Sequence, residues 1–195
     1  MRAEELELDR ELSLLWQHLA GLHYKLREYT SSKYNRVNPF IENLFDWKEK
    51  GKFFGGNNVT IYDSTTVVGD VKIGDNTWIG PFCSLDGNGG LTIGSCCSIS
   101  LGCQLLTHDT IKWALSGGKE KYEYGPTKIG NYCFLGSYVV VLKGVTVGDH
   151  CLIGAGAIVD KDVPENSIAV GVPARGIGSV KIMPNGKVKL MYDKK

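Results

Sequence analysis

An aliphatic residue recurs every six positions through more than half of the chain. The register shifts by two residues at the Gly89-Gly90 pair and is interrupted between Leu105 and Ile129. Its members are Ile61, Val67, Ile73, Ile79, Leu85, Ile93, Ile99, Leu105, Ile129, Leu135, Val141, Val147, Ile153 and Val159. A helix repeats near 3.6 residues and a half-buried strand repeats at two, so neither produces this period. The period predicts an all-β fold, a parallel β-helix in which each hexapeptide is one short strand plus a corner.

The residue two positions before each aliphatic is small or slim, as a crowded interior position requires. These residues are Thr77, Cys83, Cys97, Cys103, Thr127, Cys133, Val139, Val145, Cys151 and Ala157. Five of the six cysteines occupy this position and only Cys96 is out of phase. The CxxC spacing of zinc sites is absent, so we expect free thiols that pack as small hydrophobes, and no metal.

The composition is that of one soluble protein with a single core. The chain has 195 residues, of which 43% are hydrophobic, and a net charge of +1. This near-neutral balance gives no reason to expect a nucleic-acid or membrane partner. Free thiols, with no signal peptide and no apolar run of membrane length, favour a reducing cytoplasm.

Residues 1–56 lie outside the repeat and form an N-terminal helical segment. Leucines spaced by four and three predict a helix from about Ala3 to Tyr29, and they are Leu8, Leu12, Leu15, Leu19, Leu22 and Leu26. This seam can pack on the helix's own domain or on another subunit. Ser31, Ser32 and Asn35 are expected to end the helix. Asn38 and Pro39 predict a second short helix through about Trp47, and Gly51, Gly55 and Gly56 a joint.

Residues 57–170 are predicted to form the coil, with close to five turns. Ile111 can still sit in register, but residues 112–126 cannot and must form a loop extruded from a corner. Trp113, Tyr122 and Tyr124 indicate that this loop covers a surface. The C-terminal segment, residues 171–195, is predicted to contain a short hairpin around the turn Asn185-Gly186.

The four histidines differ in their positions. His18 and His23 lie on the first predicted helix, and His150 occupies a corner that elsewhere holds Asn or Gly. His108 shares this corner phase, but it stands at the root of the extruded loop. An imidazole is the side chain best matched to take a proton near neutral pH, so His108 is a candidate general base as well as a candidate turn residue.

Residues 57–178 resemble the hexapeptide-repeat acyltransferases, in particular the sugar O-acetyltransferases of the galactoside, maltose and surface-polysaccharide type. The resemblance rests on an ordered set of motifs rather than on any single hexapeptide. The motifs are Thr107-His108-Asp109, Pro126–Gly130, Leu142–Asp149, Ile153–Pro164 and Gly171–Arg175. It implies a left-handed coil, a homotrimer and an acetyl-CoA site in the cleft between two chains, with no metal required.

The resemblance also implies roles for individual residues. His108 matches the general base, while Ser137 and Ala155 match backbone contacts along the pantetheine arm. Lys161 and Arg175 match positions near the nucleotide end, and Phe134 replaces a Trp often found beside the thioester. On the acceptor side we expect Cys83, Asp86, Trp113, Tyr122 and Tyr124, with Cys83 near a position where galactoside enzymes carry an Asn that touches the sugar.

The implied reaction is acetyl transfer from acetyl-CoA to a saccharide hydroxyl. Transfer to the nitrogen of an amino sugar is the nearest alternative, because a neutral amine needs less help from a base. A non-catalytic β-helix that serves as an assembly module is a third possibility.

Overall fold

The computed structural model describes residues 9–44 and 47–193. The chain divides into two compact units, of which the first ends at Asp46 and the second begins at Trp47. The sequence interpretation places the end of the helical segment at about residue 56, ten residues later. In the described part of the chain, no helix is long and apolar enough to cross a membrane.

The first unit is dominated by helix α1, Arg10–Tyr34. Asp9 caps its N-terminus by accepting a hydrogen bond of 2.9 Å from the backbone N–H of Leu12. The expected start at Ala3 lies outside the described residues. The expected end at Tyr29 is wrong, because the hydroxyl of Ser32 donates to the carbonyl of Tyr29 and is accommodated within the helix. The helix ends only where Asn35 adopts a left-handed φ of 52°.

The leucine seam of α1 contains no buried residue among those described. Leu12, Leu15, Leu19 and Leu22 are each about half exposed, between 43% and 53%. The two packing alternatives for the seam therefore stay predictions. A second helix, α2, spans Phe40–Leu44, and the ring of Phe40 lies 5.0 Å from that of His23. The predicted continuation of α2 through residues 45 and 46 lies outside the described residues.

The second unit begins with helix α3, Trp47–Gly51, and a 3-10 turn, Lys52–Phe54, in the stretch where only a glycine joint was expected. A parallel β-helix follows, and its first face is one sheet. In sheet order the strands are β1 (Thr60–Ile61), β3 (Trp78–Ile79), β5 (Ser98–Ile99), β10 (Phe134–Leu135), β13 (Leu152–Ile153) and β15 (Ser167–Val170). Within residues 47–193 these six parallel strands correspond to about six turns, more than the predicted five. The last turn is shorter, since Ile153 pairs with Ala169, and a strict six-residue register misses it.

The second and third faces share one sheet, because two long strands bend around the corner between them. The long strands are β2 (Thr66–Ile73) and β4 (Ser84–Ile93). The short strands are β6 (Gln104–Leu105), β11 (Val140–Val141) and β14 (Ile158–Val159) on the second face, and β9 (Thr127–Ile129) and β12 (Thr146–Val147) on the third. The Gly89-Gly90 pair that shifts the register therefore lies inside β4.

The interior of the coil confirms the six-residue register. Every aliphatic residue of the register is buried except Val67, which is half-buried against the same core. Each fully buried aliphatic side chain stabilises the fold by about 1.5–3 kcal/mol. The small residues two positions earlier are also buried, including Cys83, Cys97, Cys103, Cys133 and Cys151, whereas Cys96 is exposed.

The interruption of the register is an ordered excursion. Strand β7, His108–Asp109, leaves the coil, and strand β8, Glu123–Tyr124, returns antiparallel to it. Between them lies helix α4, Ile111–Leu115. The expectation that Ile111 stays in register is wrong, because it begins this helix and is 60% exposed.

The C-terminal hairpin is confirmed. Strands β16, Arg175–Ile182, and β17, Val188–Tyr192, pair antiparallel, and Gly186 takes a φ of 77° in the turn. Strand β16 also pairs with β15, so the hairpin extends the first face of the coil.

Candidate active site

His108 and Asp86 form a hydrogen-bonded pair at the corner where the excursion leaves the coil. Nδ1 of His108 lies 2.6 Å from Oδ2 of Asp86. The Asp86 residue is 7% exposed, whereas the His108 side chain is 30% exposed and accessible to a ligand. A buried carboxylate and a half-buried imidazole in contact are the arrangement that orients a histidine for proton transfer.

The carboxylate of Asp86 is held in its ionised form. Burial by itself would raise its pKa, but hydrogen bonds outweigh burial and hold the pKa below its usual range. Oδ2 accepts from the backbone N–H groups of Thr107 at 2.8 Å and His108 at 3.1 Å. Oδ1 accepts from the backbone and side-chain amides of Asn88 at 3.0 and 2.8 Å. Because the ionised carboxylate of Asp86 can only accept, the tautomer that fits this contact carries its proton on Nδ1 and has the lone pair on Nε2.

The register of the coil explains why these residues meet. Leu85 pairs with Leu105, so Asp86 lies one turn below residues 106–108. The hydroxyl of Thr107 donates to the Asp86 carbonyl at 2.8 Å and accepts from the backbone N–H of Gly89 at 2.8 Å. A Cβ atom at Gly89 would collide with the Thr107 carbonyl, which requires glycine there.

Asp86 was expected on the acceptor side of the site, and in the structure its carboxylate contacts His108 and the backbone of its own chain. Both of its oxygens are occupied by donors of its own chain, so it orients His108 instead of contacting an acceptor. This contact follows from the pairing of Leu85 with Leu105, which the structure shows and which the six-residue pattern does not give by itself. The two histidines with the same corner phase differ in conformation, since His150 is a turn residue with a φ of 56°, whereas His108 begins strand β7.

Tyr124 covers one side of the imidazole. Its ring centroid lies 5.7 Å from that of His108, at an interplanar angle of 23°. The stack follows from strand pairing, because His108 and Tyr124 are direct partners in β7 and β8. One ring face of Tyr124 is thus already in use. Among the described residues, no hydrogen bond reaches Nε2 of His108, which leaves this atom for a substrate.

The base of the excursion carries a cluster of four charges. Lys143 lies 3.0 Å from Asp109 and 2.8 Å from Glu123, and Lys112 lies 2.6 Å from Glu123. The backbone N–H of Ile111 and then Lys143 lower the pKa of Asp109, and the two lysines lower that of Glu123. The sequence interpretation missed Lys143, although the pairing of Leu105 with Val141 places it one turn above Thr107.

The other two predicted aromatic residues of the excursion contact each other. The rings of Trp113 and Tyr122 meet edge to face at 5.6 Å, and the two residues are 43% and 42% exposed. They form a partly open apolar surface beyond β7 and β8. An exposed pair of this kind can stack against an apolar or saccharide ring.

The residues expected to bind the cofactor occupy several places on the coil. Ser137 and Ala155 lie at equivalent corners of successive turns, between the first and second faces, and the backbone N–H of Gly156 donates to the Ser137 carbonyl at 2.8 Å. Phe134 points outward from the first face and is 46% exposed. His108 lies at a different corner, between the second and third faces.

Lys161 and Arg175 line one open pocket of about 260 Å³ near the C-terminal end of the coil. Nη1 of Arg175 contacts Asp160 at 3.1 Å and the Ala174 carbonyl at 2.6 Å. A guanidinium has five N–H donors, so others stay available for an anion. Both residues are exposed.

Cys83 does not reach any site. It is 2% exposed, and its thiol donates to the carbonyl of Ser100 at 3.2 Å inside the coil. The expectation that Cys83 contacts the acceptor is therefore wrong, because the residue two before the aliphatic points inward. In residues 9–44 and 47–193, no group of three His, Cys, Asp or Glu side chains could hold a metal ion.

The chain is thus a parallel β-helix protein with an imidazole–carboxylate pair at one corner of the coil. Residues 126–161 match the family model of the bacterial transferase hexapeptide (six repeats). The chain is 31% identical over 159 residues to a protein of Staphylococcus aureus (strain Mu50) that is named as an acetyltransferase, covering 80% of this chain and 76% of that one. The chain belongs to the hexapeptide-repeat acetyltransferase family.

Two further similarities agree with this assignment. Over 128 residues the chain is 37% identical to galactoside O-acetyltransferase of Escherichia coli (strain K12), covering 66% of this chain. It spans about half of that relative, 51% of its length. The fold also matches a hexapeptide-repeat acetyltransferase of Vibrio cholerae in complex with acetyl-CoA, with a TM-score of 0.65, 23% identity, and coverage of 85% and 88% of the two chains.

Proposed function

We propose that the protein is an acetyl-CoA-dependent O-acetyltransferase that acts on a saccharide hydroxyl, with His108 as general base. The observation that carries the proposal is the 2.6 Å hydrogen bond between Nδ1 of His108 and the ionised carboxylate of Asp86. The acetyl-CoA bound to the Vibrio cholerae relative supports the donor. The name of the Escherichia coli relative supports an oxygen acceptor on a sugar.

In the proposed reaction, Nε2 of His108 removes the proton of the acceptor hydroxyl as its oxygen attacks the thioester carbonyl. Asp86 stabilises the imidazolium that forms. The tetrahedral intermediate then collapses, the carbon–sulfur bond breaks, and the imidazolium returns the proton to the thiolate of CoA. No covalent enzyme intermediate is required. General base catalysis of this kind contributes about 10²- to 10⁴-fold.

The cofactor is proposed to lie along the coil toward its C-terminal end. Ser137 and Ala155 offer backbone groups to the pantetheine arm, and Phe134 an apolar surface beside the thioester. Lys161 and Arg175 bind the CoA phosphates. The ammonium of Lys161 supplies a compact charge, and the guanidinium of Arg175 supplies two parallel N–H donors. We expect Arg175→Ala to weaken CoA binding in isothermal titration, and to reduce its salt dependence, because one phosphate contact is lost.

A site that combines His108 with the cofactor residues around Ser137 requires more than one chain. In a single chain, His108 and the Ser137 corner lie on different edges of the prism, so we propose a homotrimer with each site between two chains. The outward positions of the faces support this arrangement. On the later turns they are apolar on the first and second faces, with Phe134, Leu152, Val140 and Ile158, whereas the earlier turns also carry polar residues there. On the third face they are polar on every turn, with Lys72, Thr92, Lys128 and Thr146.

The test is acetyl-CoA turnover by the purified chain, measured as released CoA thiol, with sugars and amino sugars as acceptors. His108→Ala should lower kcat by about 10²- to 10⁴-fold with little change in the KM for acetyl-CoA. His150→Ala is the matched control, since this half-buried imidazole stacks on Tyr132 at another corner. Near-full activity of His108→Ala would contradict the role of His108. Turnover of amino sugars alone would replace the proposal with N-acetyl transfer.

A further inference from the structure

Lys143 connects both ends of the excursion to the coil. It follows β11, one turn above the corner that holds His108. Its Nζ lies 3.0 Å from Oδ2 of Asp109 on β7 and 2.8 Å from Oε2 of Glu123 on β8. Only 26% of its side chain is exposed, although long cations usually extend into solvent. One ammonium group therefore contacts a carboxylate on each strand.

The two carboxylates need this cation. Asp109 and Glu123 are direct cross-strand partners in β7 and β8. Like charges at directly opposite positions destabilise a strand pair. The pKa of each carboxyl is lowered, so both are ionised at neutral pH. Lys112 contacts Glu123, whereas Lys143 contacts both carboxylates.

The same strand pair holds Tyr124 against the imidazole. The β7·β8 ladder consists of two residue pairs, Asp109 with Glu123 and His108 with Tyr124. If the charged pair separates, the aromatic pair next to it keeps support on its other side alone, where the backbone N–H of Gly125 donates to the Thr107 carbonyl at 2.8 Å. The ring of Tyr124 would then leave its place 5.7 Å from the imidazole.

We propose that Lys143 is a positioning residue for the reaction. By neutralising Asp109 and Glu123 it keeps β7 and β8 paired, and the closed pair holds Tyr124 on one face of His108. The covered imidazole then offers Nε2 in one orientation, and the aromatic face stabilises the imidazolium that forms on proton transfer. This inference rests on the proposed role of His108 as base.

The test is a charge-rescue series in the chain of 195 residues. Lys143→Gln leaves Asp109 and Glu123 opposed, and should lower kcat by about 10- to 100-fold with an unchanged KM for acetyl-CoA. Adding Glu123→Gln removes the repulsion, so the double variant should recover to within about threefold of the original kcat. Lys72→Gln is the matched control, because Lys72 pairs with Asp70 at 3.7 Å on an exposed strand of the coil.

A second measurement does not depend on activity. The ring current of Tyr124 should shift the imidazole proton resonances of His108, which are assigned by their loss in His108→Gln. The shift should move in Lys143→Gln toward its value in Tyr124→Leu, and return in the double variant. Unchanged kcat and resonances in Lys143→Gln would overturn the inference, as would a double variant no better than the single one. Full activity of His108→Ala would contradict the proposed function, while the resonances would still test the role of Lys143.

Discussion

Asp86 serves the coil and the imidazole with the same carboxylate. Its oxygens accept from backbone N–H groups of Thr107, His108 and Asn88, which fixes the corner, and from Nδ1 of His108, which fixes the ring. The position could be predicted from sequence as a corner aspartate, but its role could not. That role depends on which residues the neighbouring turn places beside it, and the two-residue shift at Gly89-Gly90 determines this.

The variant Asp86→Asn should separate the effect of Asp86 on the His108 ring from its effect on the structure of the coil. The asparagine amide can donate to Nδ1, which would leave the proton on Nε2 and remove the base. We expect kcat to fall by about 10²- to 10⁴-fold, with the KM for acetyl-CoA nearly unchanged. Asp75→Asn is the control, since this corner aspartate accepts from the backbone N–H of Asn57 at 2.7 Å, far along the chain from His108. Equal loss in both variants would indicate a general effect on the coil.

The free energy of unfolding should depend on pH through the ionisation of Asp86. Since the folded-state pKa of Asp86 is lowered, its contribution to stability is fully present above the unfolded-state pKa of about 3.9. The contribution is lost progressively as the pH falls below that value toward the folded-state pKa. The gap in urea midpoint between the original protein and Asp86→Asn should therefore narrow between pH 6 and pH 3. A gap that is constant over this range would contradict the argument.

The buried cysteines add a hydrogen-bond pattern that their spacing alone does not reveal. The sequence predicts slim interior residues, and burial confirms this. In the structure each of these thiols also donates to a carbonyl of the next turn, for example Cys97 to Gly130 at 3.0 Å and Cys133 to Gly148 at 3.1 Å. Thr77 donates to Gly94 at 2.7 Å in the same way. Thr and Cys share this position because both combine a small volume with a donor.

At the scale of elements, the six-residue period predicts the three faces because each strand repeats one local environment. The excursion follows no period, so its sequence predicts only that the chain leaves the coil. Strands β7 and β8 both contact Lys143, which lies twenty residues beyond Glu123. Helix α4 is a single short element that contacts the same cluster, since Lys112 pairs with Glu123. A local sequence pattern does not predict contacts of this kind, because they join residues on different turns of the coil.

The tip and the base of the excursion should have separable effects. Replacing residues 111–122 with a short Gly-Ser linker removes Trp113 and Tyr122 but keeps β7, β8 and Lys143. We expect a higher KM for the acceptor, because the exposed aromatic faces against which a sugar ring would pack are lost. The kcat and the CoA affinity should change little, since the coil and Tyr124 remain. Kinetics that are identical with and without the tip would show that it does not contact the acceptor.

At the scale of the whole molecule, the corner that holds His108 and the corner that holds Ala155 must come from different chains if they form one site. Two inactive variants should therefore complement each other. His108→Ala removes the base, and Ala155→Trp is designed to obstruct the pantetheine arm at an exposed corner. In a mixed trimer, one interface combines an intact His108 with an intact Ala155, whichever variant is in excess.

Equal mixing of the two variants by joint refolding should restore about a quarter of the original activity, since about three quarters of random trimers are mixed and each has one intact site of three. Sedimentation of each variant checks that trimers form. Joint refolding of either variant with itself is the control and should restore nothing. If trimers form but mixing restores no activity, both corners of one site belong to the same chain. In that arrangement every chain of either variant carries a defective site, so no mixture is active. An active monomer would contradict the shared site altogether.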